Sequence, residues 1–129
     1  MVDWAIETEG LIKGYGPAQV LRGIDLRVKP GEFVVLFGAN GAGKSTLIRI
    51  LCTLVRPSGG SARVAGCDIL EDPDGVRACI GLLAHSTHLY EDLTAFENVR
   101  FSLRMRGVSQ VEPRALEALK AAGLGRVVH

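Results

Sequence analysis

The feature that most constrains this chain is the segment Gly38-Ala-Asn-Gly-Ala-Gly-Lys-Ser45, which matches the pattern G-x-x-x-x-G-K-[ST]. An unbroken apolar run, Phe33–Phe37, precedes it, and an apolar pattern at the helical period begins at Lys44. Glycines let the backbone of such a loop turn successive N–H groups toward one anion, beside the positive end of the helix dipole. The sequence therefore predicts a phosphate-binding loop (P-loop) between a strand and a helix.

The side chains of this loop suit a nucleoside triphosphate with Mg²⁺. Lys44 carries a full positive charge for the β- and γ-phosphates, and the Ser45 hydroxyl is placed to ligate Mg²⁺. Thr46, in the first turn of the helix, adds a hydroxyl for the α-phosphate. The predicted nucleotide-binding residues of the loop are Gly38, Ala39, Asn40, Gly41, Ala42, Gly43, Lys44, Ser45 and Thr46.

Composition adds that the chain is an ordinary globular one. Its 129 residues suffice for one domain, and 47% hydrophobic with 22% charged residues excludes a disordered or collagen-like chain. The net charge of +1 gives no reason to expect a nucleic-acid partner. No signal peptide is visible, so we expect a cytoplasmic chain. Cys52, Cys67 and Cys79 have no C-x-x-C spacing and are expected to be buried, reduced thiols.

The rest of the chain mixes extended and helical patterns. Strands are predicted at Ala5–Lys13, Val20–Val28, Phe33–Phe37, Ala62–Ala65 and Ile80–Leu83, and a short helix at Pro73–Ala78. The strands Phe33–Phe37 and Ile80–Leu83 are apolar throughout, as expected when both faces are covered. The helix that begins at Lys44 is expected to include Leu54 and to end before Pro57.

Two further helices have clear boundary signals. Thr94-Ala-Phe-Glu97 forms a capping box, so a helix is predicted from Thr94 to about Gly107. A second helix is predicted at Pro113–Ala122, with the proline in its first turn and Gly123 just past its end.

With its neighbours, the loop resembles the Walker A segment of ATP-binding-cassette (ABC) ATPases. The turn Lys29-Pro-Gly-Glu32 and the aromatic Tyr15 within Lys13-Gly-Tyr-Gly16 are also typical of that family. The resemblance covers nearly the whole chain, as the N-terminal portion of one nucleotide-binding domain. It implies that Tyr15 stacks on the adenine of ATP, which suits an exposed aromatic ring.

The same resemblance implies an α/β fold, namely a P-loop NTPase core of the ABC ATPase type. An N-terminal antiparallel β subdomain would accompany this core, and a helical subdomain would begin within residues 94–122. The domain would be incomplete, with Walker A at 38–45 and the Q-loop region near residue 85.

The Q-loop position departs from the family pattern. Most members carry a glutamine there that senses Mg²⁺ and the γ-phosphate, whereas this chain has His85. An imidazole can hydrogen-bond at that point and would add pH sensitivity, but a loop histidine without nucleotide contact is the alternative. Ala84-His85 with Leu89–Phe101 is similar to the ATP-binding subunit of bacterial haem exporters in cytochrome c maturation. His88 is expected to be a solvated loop residue.

The resemblance also implies partners and a location. The surface of 89–93 and the helix after Thr94 would dock on a transmembrane permease subunit, at the cytoplasmic face of the inner membrane. The complete parent would form a head-to-tail dimer with a second ATP-binding subunit. Arg100, Arg104 and Arg106 either face the partner or form a solvated helix face.

Hydrolysis needs groups that this sequence does not contain. One carboxylate must hold Mg²⁺ and another must orient the attacking water. In the ABC family both follow the signature Leu-Ser-Gly-Gly-Gln, and the 129 residues contain neither that signature nor a Walker B strand. We therefore expect this chain to bind MgATP without turnover, as part of the ATP-binding subunit of an ABC transporter, namely an exporter with haem as its candidate cargo. The alternatives are a non-hydrolysing remnant or regulatory module, or another P-loop ATPase class.

Overall fold

The computed structural model describes residues 1–86 and 89–126. The chain divides into two compact units, Met1–Leu82 and Leu83–His129. The expectation for His88 falls outside the described residues.

The first unit is built on a four-stranded antiparallel sheet with strand order β2-β1-β3-β4. Its strands are β1 (Ile6–Tyr15), β2 (Ala18–Val28), β3 (Gly59–Val64) and β4 (Cys67–Asp68). The predicted strands in these regions are confirmed, although β1 and β2 reach further toward each other. Tyr15 pairs with Ala18, so the two strands meet in a tight hairpin.

Helix α1 (Lys44–Leu51) is held on this sheet by the main hydrophobic core. Its buried residues Leu47, Ile50 and Leu51 recur at helical spacing, and helix α2 (Pro73–Cys79) adds the fully buried Val76. The buried residues of this core are Leu11, Leu21, Leu47, Ile50, Leu51, Ala62, Val64, Ile69 and Val76. The start of α1, where the P-loop ends, is therefore fixed by packing.

The predicted end of α1 is wrong. The helix ends at Leu51 and does not include Leu54, whose side chain is exposed. Thr53 has φ 60°, and the N–H of Leu54 turns back to the carbonyl of Arg49 at 2.9 Å. This left-handed residue reverses the chain before Pro57 is reached.

The two apolar runs predicted as buried strands belong to no strand among the described residues. In Phe33–Phe37, both phenylalanines are at least 90% exposed, and Leu83 at the end of Ile80–Leu83 is fully exposed. A strand covered on both faces needs neighbouring strands and helices over it. The four strands of the described sheet pair only with one another, so these predictions fail here for lack of partners. Exposed apolar side chains on an unpaired extended segment favour association with other protein chains.

The second unit contains helices α3 (Ala95–Met105) and α4 (Val111–Ala121), which pack on each other. The predicted capping box is confirmed: the Glu97 N–H donates to Thr94 Oγ1 at 3.2 Å, and the Thr94 N–H donates to Glu97 Oε2 at 2.8 Å. Helix α4 begins two residues before the predicted Pro113. The proline thus occupies the third helical position, where its missing N–H breaks no intrahelical bond.

The cysteines are less buried than predicted. All three are free thiols, but Cys52 and Cys67 are half-buried and Cys79 is exposed. Partial burial raises the pKa of the Cys52 thiol. The prediction of buried thiols is therefore wrong for Cys79, which lies at the end of a short surface helix.

No helix within 1–86 and 89–126 has the length and apolar content that a membrane-spanning helix needs.

The capping box makes the stability of the second unit depend on pH. Hydrogen bonds from the Thr94 backbone and then its side chain, with the Arg100 charge, hold the pKa of Glu97 below its ordinary value. Glu97 therefore stabilises the folded state above its ordinary pKa of about 4.3. That contribution is lost as the pH falls through the lowered folded pKa.

We expect Glu97→Gln to lower the melting temperature at neutral pH and to lose this effect under acid conditions. Thermal unfolding followed by circular dichroism from about pH 7 to pH 3 measures the difference. Glu117→Gln removes a carboxylate from the exposed side of α4 and serves as the control. Equal melting of the wild type and Glu97→Gln at neutral pH would show that the carboxylate contributes nothing.

Candidate functional site

The glycine-rich loop lies directly against strand β2. Gly43, the N-cap residue of α1, is buried and has φ 100°. A Cβ atom on Gly43 would lie 2.7 Å from Leu21 Cδ2 and 3.1 Å from the carbonyl oxygen of Val20. Gly43 is thus required both by its backbone angle and by the close approach of the loop to the sheet.

The loop borders a cavity of about 300 Å³. Its lining residues are Val20, Asn40, Gly41, Gly43, Lys44, Ser45 and Thr46. All of these except Val20 were predicted from the sequence. The three remaining predicted residues of the loop are Gly38, Ala39 and Ala42. The carbonyls of Gly38 and Ala39 accept hydrogen bonds from Lys44, and the Ala42 N–H donates to the Ala39 carbonyl at 3.1 Å.

The charge of Lys44 is held at the loop. Its Nζ donates to the carbonyls of Gly38 and Ala39, the latter at 2.8 Å. An ammonium group has three N–H donors, so these two bonds leave one for an anion. The positive charge is therefore already positioned beside the cavity before any ligand is bound.

The first turn of α1 offers backbone donors to the same cavity. Within the described residues, no side chain caps this helix at Gly43, and the first turn carries no acidic residue. The N–H groups of Lys44, Ser45 and Thr46 have no acceptor further back in the helix. Together with the helix dipole, these donors suit a phosphate chain, and the Ser45 hydroxyl is an oxygen ligand of the kind that Mg²⁺ prefers.

A second cavity in the same unit is lined mainly by negatively charged side chains. It encloses about 210 Å³ and is lined by Glu7, Glu9, Ser61, Arg63 and Asp68. Three carboxylates against one guanidinium repel a polyanion. The P-loop cavity is the better match for a phosphorylated ligand.

Tyr15 lies at the end of β1, in the hairpin that leads to Val20. Its ring is about half exposed (48%), and the ammonium of Lys13 lies 4.9 Å from the ring centroid. Val20, five residues further along the hairpin, lines the P-loop cavity. The hairpin thus contributes an apolar wall to the cavity through Val20, while stacking of Tyr15 on adenine stays a prediction.

His85 is an exposed residue in a bend, and it belongs to the second unit. Its role near Mg²⁺ and the γ-phosphate therefore stays a prediction. The residues that follow form an exposed apolar surface, which we call the 89–105 surface. It consists of Leu89, Tyr90, Leu93, Phe101 and Met105.

Asn98 fixes the backbone of two members of this surface, Tyr90 and Leu93, and was missed by sequence reasoning. It is buried, and its Oδ1 accepts from the Tyr90 N–H at 2.9 Å. Its Nδ2 lies within 3.1 Å of the carbonyls of Tyr90, Leu93 and Thr94. The sequence did contain a signal for Asn98, because asparagine has a poor helix propensity and stands here inside an amphipathic helix.

Comparison with known proteins gives one consistent family. Residues 21–129 match the family model described as "ABC transporter". The chain is 44% identical over 123 residues to the daunorubicin/doxorubicin resistance ATP-binding protein DrrA of Streptomyces peucetius, covering 94% of this chain and 37% of that protein.

Two further relatives differ in the cargo that their names state. The spermidine/putrescine import ATP-binding protein PotA of Photobacterium profundum is 34% identical over 123 residues, covering 94% of this chain and 33% of PotA. The cytochrome c biogenesis ATP-binding export protein CcmA of Bordetella bronchiseptica is 40% identical over 103 residues, covering 80% of this chain and 46% of CcmA. The chain thus spans about a third to a half of these relatives.

Solved structures show the same likeness. An ATP-binding cassette, solved as a dimer in a post-hydrolysis state with ADP and Pi, matches with a TM-score of 0.80 and 30% identity. The match covers 95% of this chain and 60% of that one. It confirms the predicted α/β fold of the P-loop NTPase type.

The contact between Gly43 and β2 leads to a test of the loop. We expect Gly43→Ala to destabilise the first unit by about 1–3 kcal/mol and to remove nucleotide binding, because the new methyl group collides with Leu21. Gly31→Ala is the control, since Gly31 also has a positive φ (82°) but open space around its Cβ position. Urea unfolding and nucleotide titration measure both effects. Equal losses in the two variants would mean that the contact with β2 is unimportant.

Proposed function

The chain belongs to the ABC transporter family, and from that premise we propose that it binds MgATP as part of the ATP-binding subunit of a transporter. The observation that carries the proposal is the P-loop itself. There the Lys44 ammonium and the uncapped first turn of α1 border one cavity. A cation and several N–H donors around one space are what a triphosphate requires.

The roles within the site follow from the chemistry of its residues. Lys44 and the first N–H groups of α1 would hold the phosphates, and the Ser45 hydroxyl would contribute one ligand to Mg²⁺. Bound Mg²⁺ neutralises part of the phosphate charge. Tyr15 would stack on adenine, with Val20 as an apolar wall beside it. The family resemblance assigns His85 to the Q-loop position, where an imidazole would accept or donate a hydrogen bond.

The 89–105 surface is the proposed contact with a transmembrane permease subunit. It presents exposed aromatic and aliphatic side chains, and Asn98 fixes the backbone at Tyr90 and Leu93. The neighbouring arginines are partly used within the unit: Arg104 pairs with Glu112 at 3.1 Å, and the Arg100 guanidinium lies over the Phe96 ring. Docking there would place the chain at the cytoplasmic face of the membrane.

In the complete parent protein we further propose a head-to-tail dimer and export as the direction of transport. The names of DrrA (resistance) and CcmA (export) support export, while that of PotA (import) opposes it. Haem as the cargo is supported only by the resemblance of His85 and the run Leu89–Phe101 to haem exporters. The competing proposal is a nucleotide-binding module without turnover.

MgATP is expected to raise the melting temperature of the wild type, and Lys44→Ala to abolish that rise, because the ammonium positioned by Gly38 and Ala39 is lost. Lys29→Ala removes the same charge from a turn outside the loop and should keep the rise. Phosphate release by the wild type should not exceed that of Lys44→Ala. Unchanged stabilisation of Lys44→Ala by MgATP would overturn the assignment of the loop.

Tyr15→Ala is expected to weaken binding of ATP more than binding of inorganic triphosphate. Only ATP offers a base to stack, and stacking on an aromatic ring contributes about 1–3 kcal/mol in protein sites for single bases. Calorimetric titration of both ligands in Mg²⁺ measures the difference. Equal losses for the two ligands would contradict adenine stacking on Tyr15.

A further inference from the structure

Lys13 covers one face of the Tyr15 ring. The two residues are separated by one position near the end of β1, where the pairing with β2 has an irregularity between Lys13 and Gly14. The Lys13 ammonium lies 4.9 Å from the centroid of the ring, within the range of a cation–π contact. Because this face is occupied, a base stacking on Tyr15 must use the other one.

The ammonium of Lys13 is anchored from a second side. It donates to the carbonyl of Arg56 at 2.8 Å. The segment carrying Arg56 is itself tied to β1, because the Ser58 N–H donates to the Ile12 carbonyl at 2.8 Å. The Gly14 N–H also donates to Ser58 Oγ at 3.0 Å. Lys13 is therefore part of a fixed network at the end of β1, unlike a lysine extended into solvent.

Resting on the proposed binding of MgATP, we propose that Lys13 is a positioning residue that fixes the Tyr15 ring and directs the base to its opposite face. A cation on one face attracts the π-electrons of the ring. The other face then becomes a better surface for an electron-rich purine. The anchor at Arg56 holds the ammonium in place, so the ring is oriented before the nucleotide arrives and less freedom is lost on binding.

Removing the ammonium tests this role. Lys13→Met keeps much of the side-chain length but loses both the cation and the hydrogen bond to Arg56. We expect it to weaken ATP binding about two- to fivefold, the range of an exposed cation–π contact. Binding of inorganic triphosphate should weaken less. Lys13→Arg keeps a cation over the ring and should restore most of the affinity for ATP.

Two controls separate positioning from simple charge. Lys29→Met removes the same charge from the same unit and should change ATP and triphosphate affinities alike, if at all. In a Tyr15→Ala background, Lys13→Met should cause no further selective loss for ATP, because the ring on which it acts is gone. Calorimetric titration of all variants, with circular dichroism to verify folding, gives the complete cycle.

The outcomes distinguish the inference from the function on which it rests. Equal losses for ATP and triphosphate in Lys13→Met, or unchanged ATP affinity, would overturn the role of Lys13 while MgATP binding stands. If Lys13→Met still weakens ATP selectively in the Tyr15→Ala background, Lys13 acts on the nucleotide without the ring and the inference is overturned. If the wild type does not bind MgATP at all, the proposed function itself fails.

Discussion

The candidate site depends on one close contact, between the loop at Gly43 and strand β2. The approach is so tight that a single Cβ atom would meet both the side chain of Leu21 and the backbone of Val20. Leu21 in turn belongs to the main core with Leu47 and Ile50 of α1. The hydrophobic core of the first unit, the start of α1 and the position of the loop N–H groups are therefore linked. Interiors pack too densely for one of them to shift without the others.

Features set by neighbouring residues were predicted well from the sequence. The backbone angles of the loop glycines, the helix start at Lys44 and the capping box of Thr94 and Glu97 depend on short-range geometry. Only the contact of Gly43 with β2 adds a long-range requirement to the loop. The apolar run Phe33–Phe37 was predicted wrongly as a buried strand, because burial depends on distant strands that the described sheet does not provide. The end of α1 was also wrong, because the left-handed Thr53 carries no glycine or proline signal.

The residues that sequence reasoning missed act through contacts across the chain. In the sequence, Val20 is an ordinary apolar strand residue. Val20 lines the cavity because Gly43 packs on β2. Asn98 becomes informative once its bonds to Tyr90 and Leu93 are known. Lys13 is 43 residues from its partner Arg56, a separation that no local pattern reveals. The site motif was thus predictable, whereas its supporting residues were not.

The loop is supported unequally at its two ends. At the C-terminal end of the loop, Gly43 and α1 are fixed by the core. At the N-terminal end, the preceding run Phe33–Phe37 is exposed and pairs with no described strand. The hydrogen bonds from Lys44 to Gly38 and Ala39 connect the two ends, because they join the start of the loop to the first residue of α1. The ammonium that would meet the phosphates therefore also holds the loop closed. A triphosphate that accepts the third N–H of that ammonium would therefore be held by the same group that joins the start of the loop to α1.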